Sequence, residues 1–323
     1  MARGKKDAGK EGVKRAATRD GFGEGLLLAA ASDDAVIGVC ADVTESVRMT
    51  AFKTEYPDRF VQIGVSEQLL AALGAGLAMA GKIPFVASFA IFSPGRAWEQ
   101  IRTNVCLNGA NVKLVGSHAG VTVGEDGASH QATEDIAITR VIPGMTVVVP
   151  CDAIEARKAT VALAKMVGPA YLRLGREKTP VITTEDAPFE LGKAQVLREG
   201  KDVAIVACGS MVGRALAAAE DLASEGLDCS VINCHTVKPL DERTIIAAAE
   251  SCGAVVTAEE HQIRGGLGSA VAETLARHLP VPMEFVGLRD VFGQSGDAAE
   301  LIEHYGLGVG HIKDAARKAV GRK

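Results

Sequence analysis

The stretch Arg59-Phe-Val-Gln-Ile-Gly64-Val-Ser-Glu67-Gln-Leu-Leu-Ala-Ala-Leu-Gly74-Ala-Gly-Leu-Ala78 decides how the rest of the chain is read. An apolar run to Gly64 reads as a strand, and a tight turn then opens a helix of small residues. Ser66 is placed to cap that helix, because a serine hydroxyl can accept from an unpaired N–H of the first turn. Glu67 sits in that first turn, ahead of Leu69, Leu70, Leu73, Ala75 and Leu77. The alanine and glycine content predicts close packing on both sides of the helix, which would bury the acid. Two readings of Glu67 stand. One is a carboxylate favoured by the positive end of the helix dipole; the other is a catalytic acid.

Working outward, strands and helices alternate on both sides. Towards the N-terminus, Asp20 to Ala31 reads as a helix and Ala35 to Ala41 as a buried strand. The strand runs into Asp42-Val-Thr-Glu-Ser46, a polar loop at a strand's C-terminal end, where open α/β sheets hold ligands. Towards the C-terminus, Pro84 to Ala87 is a strand ending in Ser88-Phe89-Ala-Ile-Phe92, before a helix from Gly95 to Leu107. Phe89 and Phe92 either pack in the core or lodge a flat ring at the strand end. Asn111 to Gly116 is a strand leading to a glycine-rich loop that carries His118, Asp126 and His130. Two histidines with an aspartate between them, on a loop after a strand, favour a site. A zinc site is the rival for these three, without the fixed-spacing ligand pair that usually marks one. Met145 to Val149 and Ala170 to Leu174 are further strands around a helix at Ala153 to Met166. The last strand carries Arg173, and Arg176 follows on its exit loop.

This alternation predicts a doubly wound, mainly parallel α/β domain over residues 16–180. Residues 175–200 read as a connector. A smaller α/β domain of the same kind follows over residues 195–323. It contains Arg264-Gly-Gly-Leu-Gly268, which opens a helix. Such a turn can bind phosphate through free N–H groups, but it lacks the GxGxxG pattern. Tight packing or an interface loop is the other reading.

A chain of 323 residues allows two ordinary domains, and a 47% hydrophobic content supplies their cores. The net charge of −5 argues against a dedicated nucleic-acid binder. No apolar run is long enough to span a bilayer. The seven cysteines form no CxxC pair and read as small buried hydrophobes in a reducing cytosol, so a cytoplasmic location is expected. Residues 1–15 are basic and glycine-rich and read as a disordered, solvated tail. Nucleic-acid contact by that tail is the rival reading. No apolar segment follows it to make a signal peptide.

With these residues in hand, the chain resembles the C-terminal half of a transketolase from Ala17 to its end. Five motifs stand in that family's order: Ala17-Thr-Arg19, Asp42-Val-Thr-Glu-Ser46, Gly64-Val-Ser-Glu67, Phe89-Ala-Ile-Phe92 and Gly124-Glu-Asp-Gly-Ala-Ser-His130-Gln. The resemblance implies a pyrimidine-binding domain of thiamine diphosphate enzymes, then a transketolase C-terminal domain. It implies that Glu67 meets N1′ of the cofactor's aminopyrimidine, sharing the proton that activates it. Phe89 and Phe92 would cradle the ring. His130 would lie near the 4′-amino group and the substrate oxygens, and Asp126 would bond a donor-sugar hydroxyl. Arg19, Ser46, His118 and Arg173 would bind the sugar's terminal phosphate, the arginines through their forked donors.

The family holds the diphosphate through a divalent cation, Mg²⁺ or Ca²⁺, using a GDG motif followed by an Asn. No GDG occurs here, so no metal ligand is assigned to this chain. The expectation is one subunit of a split transketolase, with an N-terminal-type partner subunit in an α2β2 assembly acting on sugar phosphates. Two departures bear on the site. Gly95 stands where many transketolases place a further aromatic, leaving Arg96 able to reach the pocket. Val47 replaces the usual Asn after Ser46. The alternatives within the superfamily are a half of a deoxyxylulose-phosphate synthase and the β subunit of a 2-oxoacid dehydrogenase E1 component. The alternative outside it is a non-catalytic assembly partner.

Overall fold

The computed structural model describes residues 14–323. Most of the tail expected over residues 1–15 lies outside the described residues. Arg15 does not belong to it: Arg15–Ala16 (β1) pairs antiparallel with Thr179–Pro180 (β8). This small ribbon ties the start of the first domain to its end.

The first domain is built on Val36–Cys40 (β2), Phe60–Gln62 (β3), Ile83–Phe89 (β4), Lys113–Ser117 (β5), Thr146–Val148 (β6) and Ala170–Arg173 (β7). The second adds Gln195–Arg198 (β9), Val203–Ala207 (β10), Cys229–Asn233 (β11), Thr236–Lys238 (β12), Val255–Gln262 (β13) and Met283–Leu288 (β14). Strands β2, β5 and β7 are buried along their whole length. That is the pattern of a parallel sheet covered on both faces. The large sheet has the order β12-β6-β7-β5-β4-β2-β3, and only β12 runs antiparallel. The smaller sheet has the order β14-β13-β10-β11-β9, with β9 antiparallel. The chain is thus two α/β units with mainly parallel sheets.

The units are less separate than their sequences suggest. β12 belongs to the second unit by position but completes the first unit's sheet beside β6. One hydrophobic core runs from Leu70, Val86 and Leu114 of the first unit to Val206, Ile232 and Leu267 of the second.

The opening stretch departs from expectation in three ways. The strand is shorter, ending at Gln62, and lies at the sheet edge. Ser66 holds the N-cap position of the helix Glu67–Met79, but its hydroxyl makes no capping bond. The helix is packed on one side only: Leu70, Ala71, Gly74 and Ala75 face the core, while Leu69 and Met79 are exposed. The expected helix from Gly95 to Leu107 is also broken up. A turn to Ala97 leads into a single α-turn, Trp98–Gln100, and a π-helix, Ile101–Cys106. Gly95 closes that turn, because a Cβ there would lie 2.1 Å from the Ile91 carbonyl oxygen.

Candidate active site

The site lies along the C-terminal ends of β2, β4 and β5, where the sheet reverses its strand order. β3 lies on one side of β2, and β4 and β5 on the other. Parallel strands all deliver their following loops to this edge, and the resulting crevice is where such sheets bind ligands.

Glu67 enters from the helix that follows β3 and is 2% exposed. Its Oε2 accepts a hydrogen bond from Arg96 Nη1 at 2.7 Å, and Ser88 Oγ stands 3.5 Å from Oε1. Phe89, the last residue of β4, and Phe92 in the next turn stack with centroids 6.4 Å apart and 28° between planes. His130 meets Phe92 edge-on at 5.3 Å, and its Nδ1 lies 3.0 Å from Ser129 Oγ. A buried acid, two ring faces and an imidazole edge therefore share one corner. This donor set suits a flat heteroaromatic ring with a hydrogen-bonding edge.

Phe89 also leads to a second compartment, since its ring lies 4.2 Å from that of His118. A cavity of about 330 Å³ opens there, lined by Arg19, Glu45, Ser46, Arg48, Phe89, His118, Asp126 and Arg176. Arg19 Nη1 donates to the Ser46 carbonyl at 2.9 Å and stands 3.3 Å from His118 Nε2. Arg19 Nε is buried with no hydrogen-bond partner. Burial, then the neighbouring Arg48, lowers the Arg19 pKa. The same forces lower that of His118 to about 3: burial first, then Arg19 and Arg176. His118 is therefore a neutral imidazole at working pH, with Nδ1 2.9 Å from Ser117 Oγ. Arg48 is ion-paired with Asp20 at 2.7 Å, and Arg176 reaches Val123 O at 3.0 Å and Asp126 at 3.4 Å. Three guanidiniums and a spare buried N–H around one cavity make a receptor for an anion.

The fold brings Arg19, Ser46, His118 and Asp126 to this cavity, and Glu67, Phe89, Phe92 and His130 to the ring corner. Arg173 is the exception. Its guanidinium is buried and donates to Asp135 Oδ2 at 2.7 Å, to the Glu260 carbonyl at 2.9 Å and to the Ala132 carbonyl at 3.2 Å. Burial opposes its charge, but Asp135 outweighs this and raises its pKa. Tyr171 donates to the same Asp135 oxygen at 2.6 Å. Arg173 is a strut between the domains. Arg176, three residues on and outside the sheet, lines the cavity instead. Its place on the strand's exit loop was the available signal. Arg48 and Glu45 were missed; they stand in the same loop as Ser46.

The rival sites resolve on geometry. Among the described residues no three His, Cys, Asp or Glu side chains are grouped to hold a metal ion. The N–H groups of Leu267 and Gly268, in the glycine-rich turn, donate at 2.8 Å to the two carboxylate oxygens of Glu259. A Cβ at Gly266 would lie 2.0 Å from that carboxylate. The turn binds an anion, but one supplied by its own strand. A second cavity, of about 230 Å³, lies in the C-terminal unit beside Glu284. That carboxylate is already paired with Lys318 and Arg322. Among the described residues no helix is long and apolar enough to cross a membrane.

Comparison with known proteins gives this arrangement a family. The transketolase pyrimidine-binding domain matches residues 14–181, and the transketolase C-terminal domain matches residues 192–312. The chain belongs to the transketolase family. Membership implies thiamine diphosphate. The 6-deoxy-6-sulfo-D-fructose transketolase subunit of a Clostridium species is 43% identical, over 94% of this chain and 95% of its own length. A putative transketolase C-terminal section from Methanocaldococcus jannaschii is 44% identical, over 90% and 92%. A solved split-gene transketolase, described as an inactive β4 tetramer, superposes with a TM-score of 0.90 at 43% identity, covering 95% of this chain and 99% of that one. Transketolase from Campylobacter jejuni superposes with a TM-score of 0.79 at 25% identity, over 93% of this chain and 46% of its own. This transketolase chain therefore resembles subunits of split enzymes along their whole length, and about half of a one-chain enzyme.

Proposed function

We propose that this chain is the pyrimidine-binding subunit of a thiamine diphosphate-dependent transketolase that moves a two-carbon ketol unit between sugar phosphates. The observation that carries the reading is the joining, through Phe89, of a buried acid-and-ring corner to an arginine-lined anion cavity. Thiamine diphosphate, when bound, would supply the nucleophilic carbon for ketol transfer. This chain's residues do the rest. Glu67 would hold a proton at ring atom N1′, and Phe89 and Phe92 would hold the ring by its faces. His130, at the edge of Phe92, would exchange a proton with substrate oxygens, and Asp126, on the anion cavity, would accept from a donor hydroxyl. Arg19, Arg48 and Arg176, with Ser46 and neutral His118, hold the terminal anion and so fix the distance from anion to reacting carbon.

The relatives are named for different substrates, one for 6-deoxy-6-sulfo-D-fructose and another for apulose 4-phosphate. A ketose with an anionic end is common to both names, and it suits the cavity. No residue of this chain is assigned to the diphosphate or its cation. A partner subunit with a GDG motif would supply that half, in an α2β2 assembly. The relative solved as β subunits alone is described as inactive, which supports this division.

The test is reconstitution with the companion subunit. The complex should transfer ketol units, while the isolated chain with thiamine diphosphate and Mg²⁺ should not. Glu67→Gln should lower kcat by about 10²–10⁴-fold. Full activity from the isolated chain sinks the subunit reading, and a fully active Glu67→Gln sinks the catalytic one.

A further inference from the structure

Glu67 is buried, yet its strongest partner comes from the solvent side. Arg96 donates to Glu67 Oε2 at 2.7 Å, and its side chain is 49% exposed. The same guanidinium lies over the face of Phe92, 4.6 Å from the ring centroid. Arg96 thus makes an N–H bond to the acid with its edge and a stack on the aromatic with its face. A guanidinium can do both because it is planar and delocalised.

An aminopyrimidine ring asks for the same two contacts, an edge on Glu67 and a face on the Phe89–Phe92 pair. A ring seated there would compete with Arg96 for the Glu67 carboxylate and the Phe92 face. The backbone aims Arg96 at this spot. The Arg96 N–H donates to the Phe92 carbonyl at 2.8 Å, and Gly95 lets the turn close where any Cβ would strike the Ile91 carbonyl. A carboxylate 2% exposed is costly to leave unpaired. A half-exposed arginine can cover it and then withdraw into water.

We propose that Arg96 is a placeholder for the cofactor's aminopyrimidine: it occupies Glu67 and Phe92 in the unliganded subunit and swings out as the ring enters. This rests on the function proposed above and adds to it a gate built from this chain alone. The apparent affinity for the cofactor is then the intrinsic affinity reduced by the fraction of subunits in which Arg96 has left. The gate would keep the acid paired until cofactor and partner arrive.

The test is calorimetric titration of thiamine diphosphate, with Mg²⁺ present, into the reconstituted complex of the full chain and its companion subunit. Arg96→Ala should bind about 10-fold more tightly than wild type, the factor expected for losing one half-exposed ion pair and one cation–π contact. Arg96→Lys keeps the charge without the planar face, so it should fall between the two and serves if the alanine variant folds poorly. In a Glu67→Gln background the gain from Arg96→Ala should shrink to less than about 3-fold, because the bond being displaced has lost its charge. A structural role would not produce that coupling. Wild-type binding with Arg96→Ala unchanged or weaker overturns the placeholder alone. No binding by the wild-type complex overturns both this inference and the function on which it rests.

Discussion

Replacing Arg173 and replacing Arg176 should damage the protein in opposite ways, although the two arginines are three residues apart. The Arg173 side chain is 7% exposed and that of its partner Asp135 is 1% exposed. Arg173→Ala leaves Asp135 as a buried carboxylate with only the Tyr171 hydroxyl as a donor, and removes the guanidinium bonds to the carbonyls of Ala132 and Glu260. Breaking a buried pair by removing one partner costs about 3–5 kcal/mol. That is a large part of the stability of a typical domain, so the urea midpoint read by circular dichroism should fall sharply. Arg176 is one-third exposed and holds only the Val123 carbonyl and, at 3.4 Å, Asp126. Arg176→Ala should leave the unfolding free energy within about 0.5 kcal/mol of wild type, and so the urea midpoint nearly unmoved. In the reconstituted complex it should lose one charge-assisted bond to the substrate anion, about 1.5–3 kcal/mol, or roughly 10–100-fold in kcat/KM. A donor ketose without its phosphate should show little of that defect. An Arg173→Ala variant with an unchanged midpoint and a raised KM for the phosphorylated donor would refute this assignment.

Three further outcomes are expected. Burial raises the Glu155 carboxyl to about 7, while the Cys151 N–H and Asn233 hold its oxygens. Between its ordinary value of 4.5 and 7 the folded chain keeps a proton that the unfolded chain releases, so stability should fall by about 3 kcal/mol as pH rises through that window. Glu155→Gln should flatten the slope of urea midpoint between pH 5 and 8, and an unaltered slope would count against it. His118, with its pKa lowered to about 3, stays neutral in the fold while the unfolded imidazole protonates below 6.5. Its contribution to stability is therefore lost as pH falls from 6.5 towards 3, and its ring carbon proton should not shift between pH 5 and 8 by NMR. Titration near 6.5 would show that the ring is not buried among arginines. Gln131 Nε2 donates at 3.0 Å both to Val121 O in the substrate loop and to Gln294 O in the C-terminal domain. Gln131→Ala should raise KM several-fold by loosening that loop while leaving cofactor affinity unchanged. A weakened cofactor affinity would point to wider collapse.

The parts of this molecule that could be read from its sequence are those where one local rule suffices. β2, β4 and β5 are short strands with apolar, buried centres in a parallel sheet, and their following loops had to fall at one edge of it. That places Ser46, Phe89, His118 and Asp126 together without any knowledge of side-chain packing. What was not legible depends on a partner far along the chain. Thr236-Val-Lys238 looks like part of the second unit and joins the first because β6 has an open edge. Arg173 looks like a phosphate ligand until Asp135, from a helix elsewhere, is found beneath it. The glycine-rich turn at Arg264 looks like an anion site, and is one, but only Glu259 in the fold shows which anion fills it.

Glu67 combines both kinds of legibility. Its place in the first turn of a helix near a strand edge was local and correct; its pairing with Arg96 was not local, since it needed the turn closed by Gly95. The one-sided packing of its helix adds a consequence. Glu67 lies on the packed face of that helix with Leu70, Ala71 and Gly74, while Leu69 and Met79 are exposed on other faces. A group binding at Glu67 therefore meets packed core on the helix side, and the approach the structure shows is the one taken by the half-exposed Arg96. An acid packed into this chain's core on one side and met from the solvent side by a half-exposed cation suits the division between two polypeptides proposed above, in which the incoming ring takes the place that Arg96 holds.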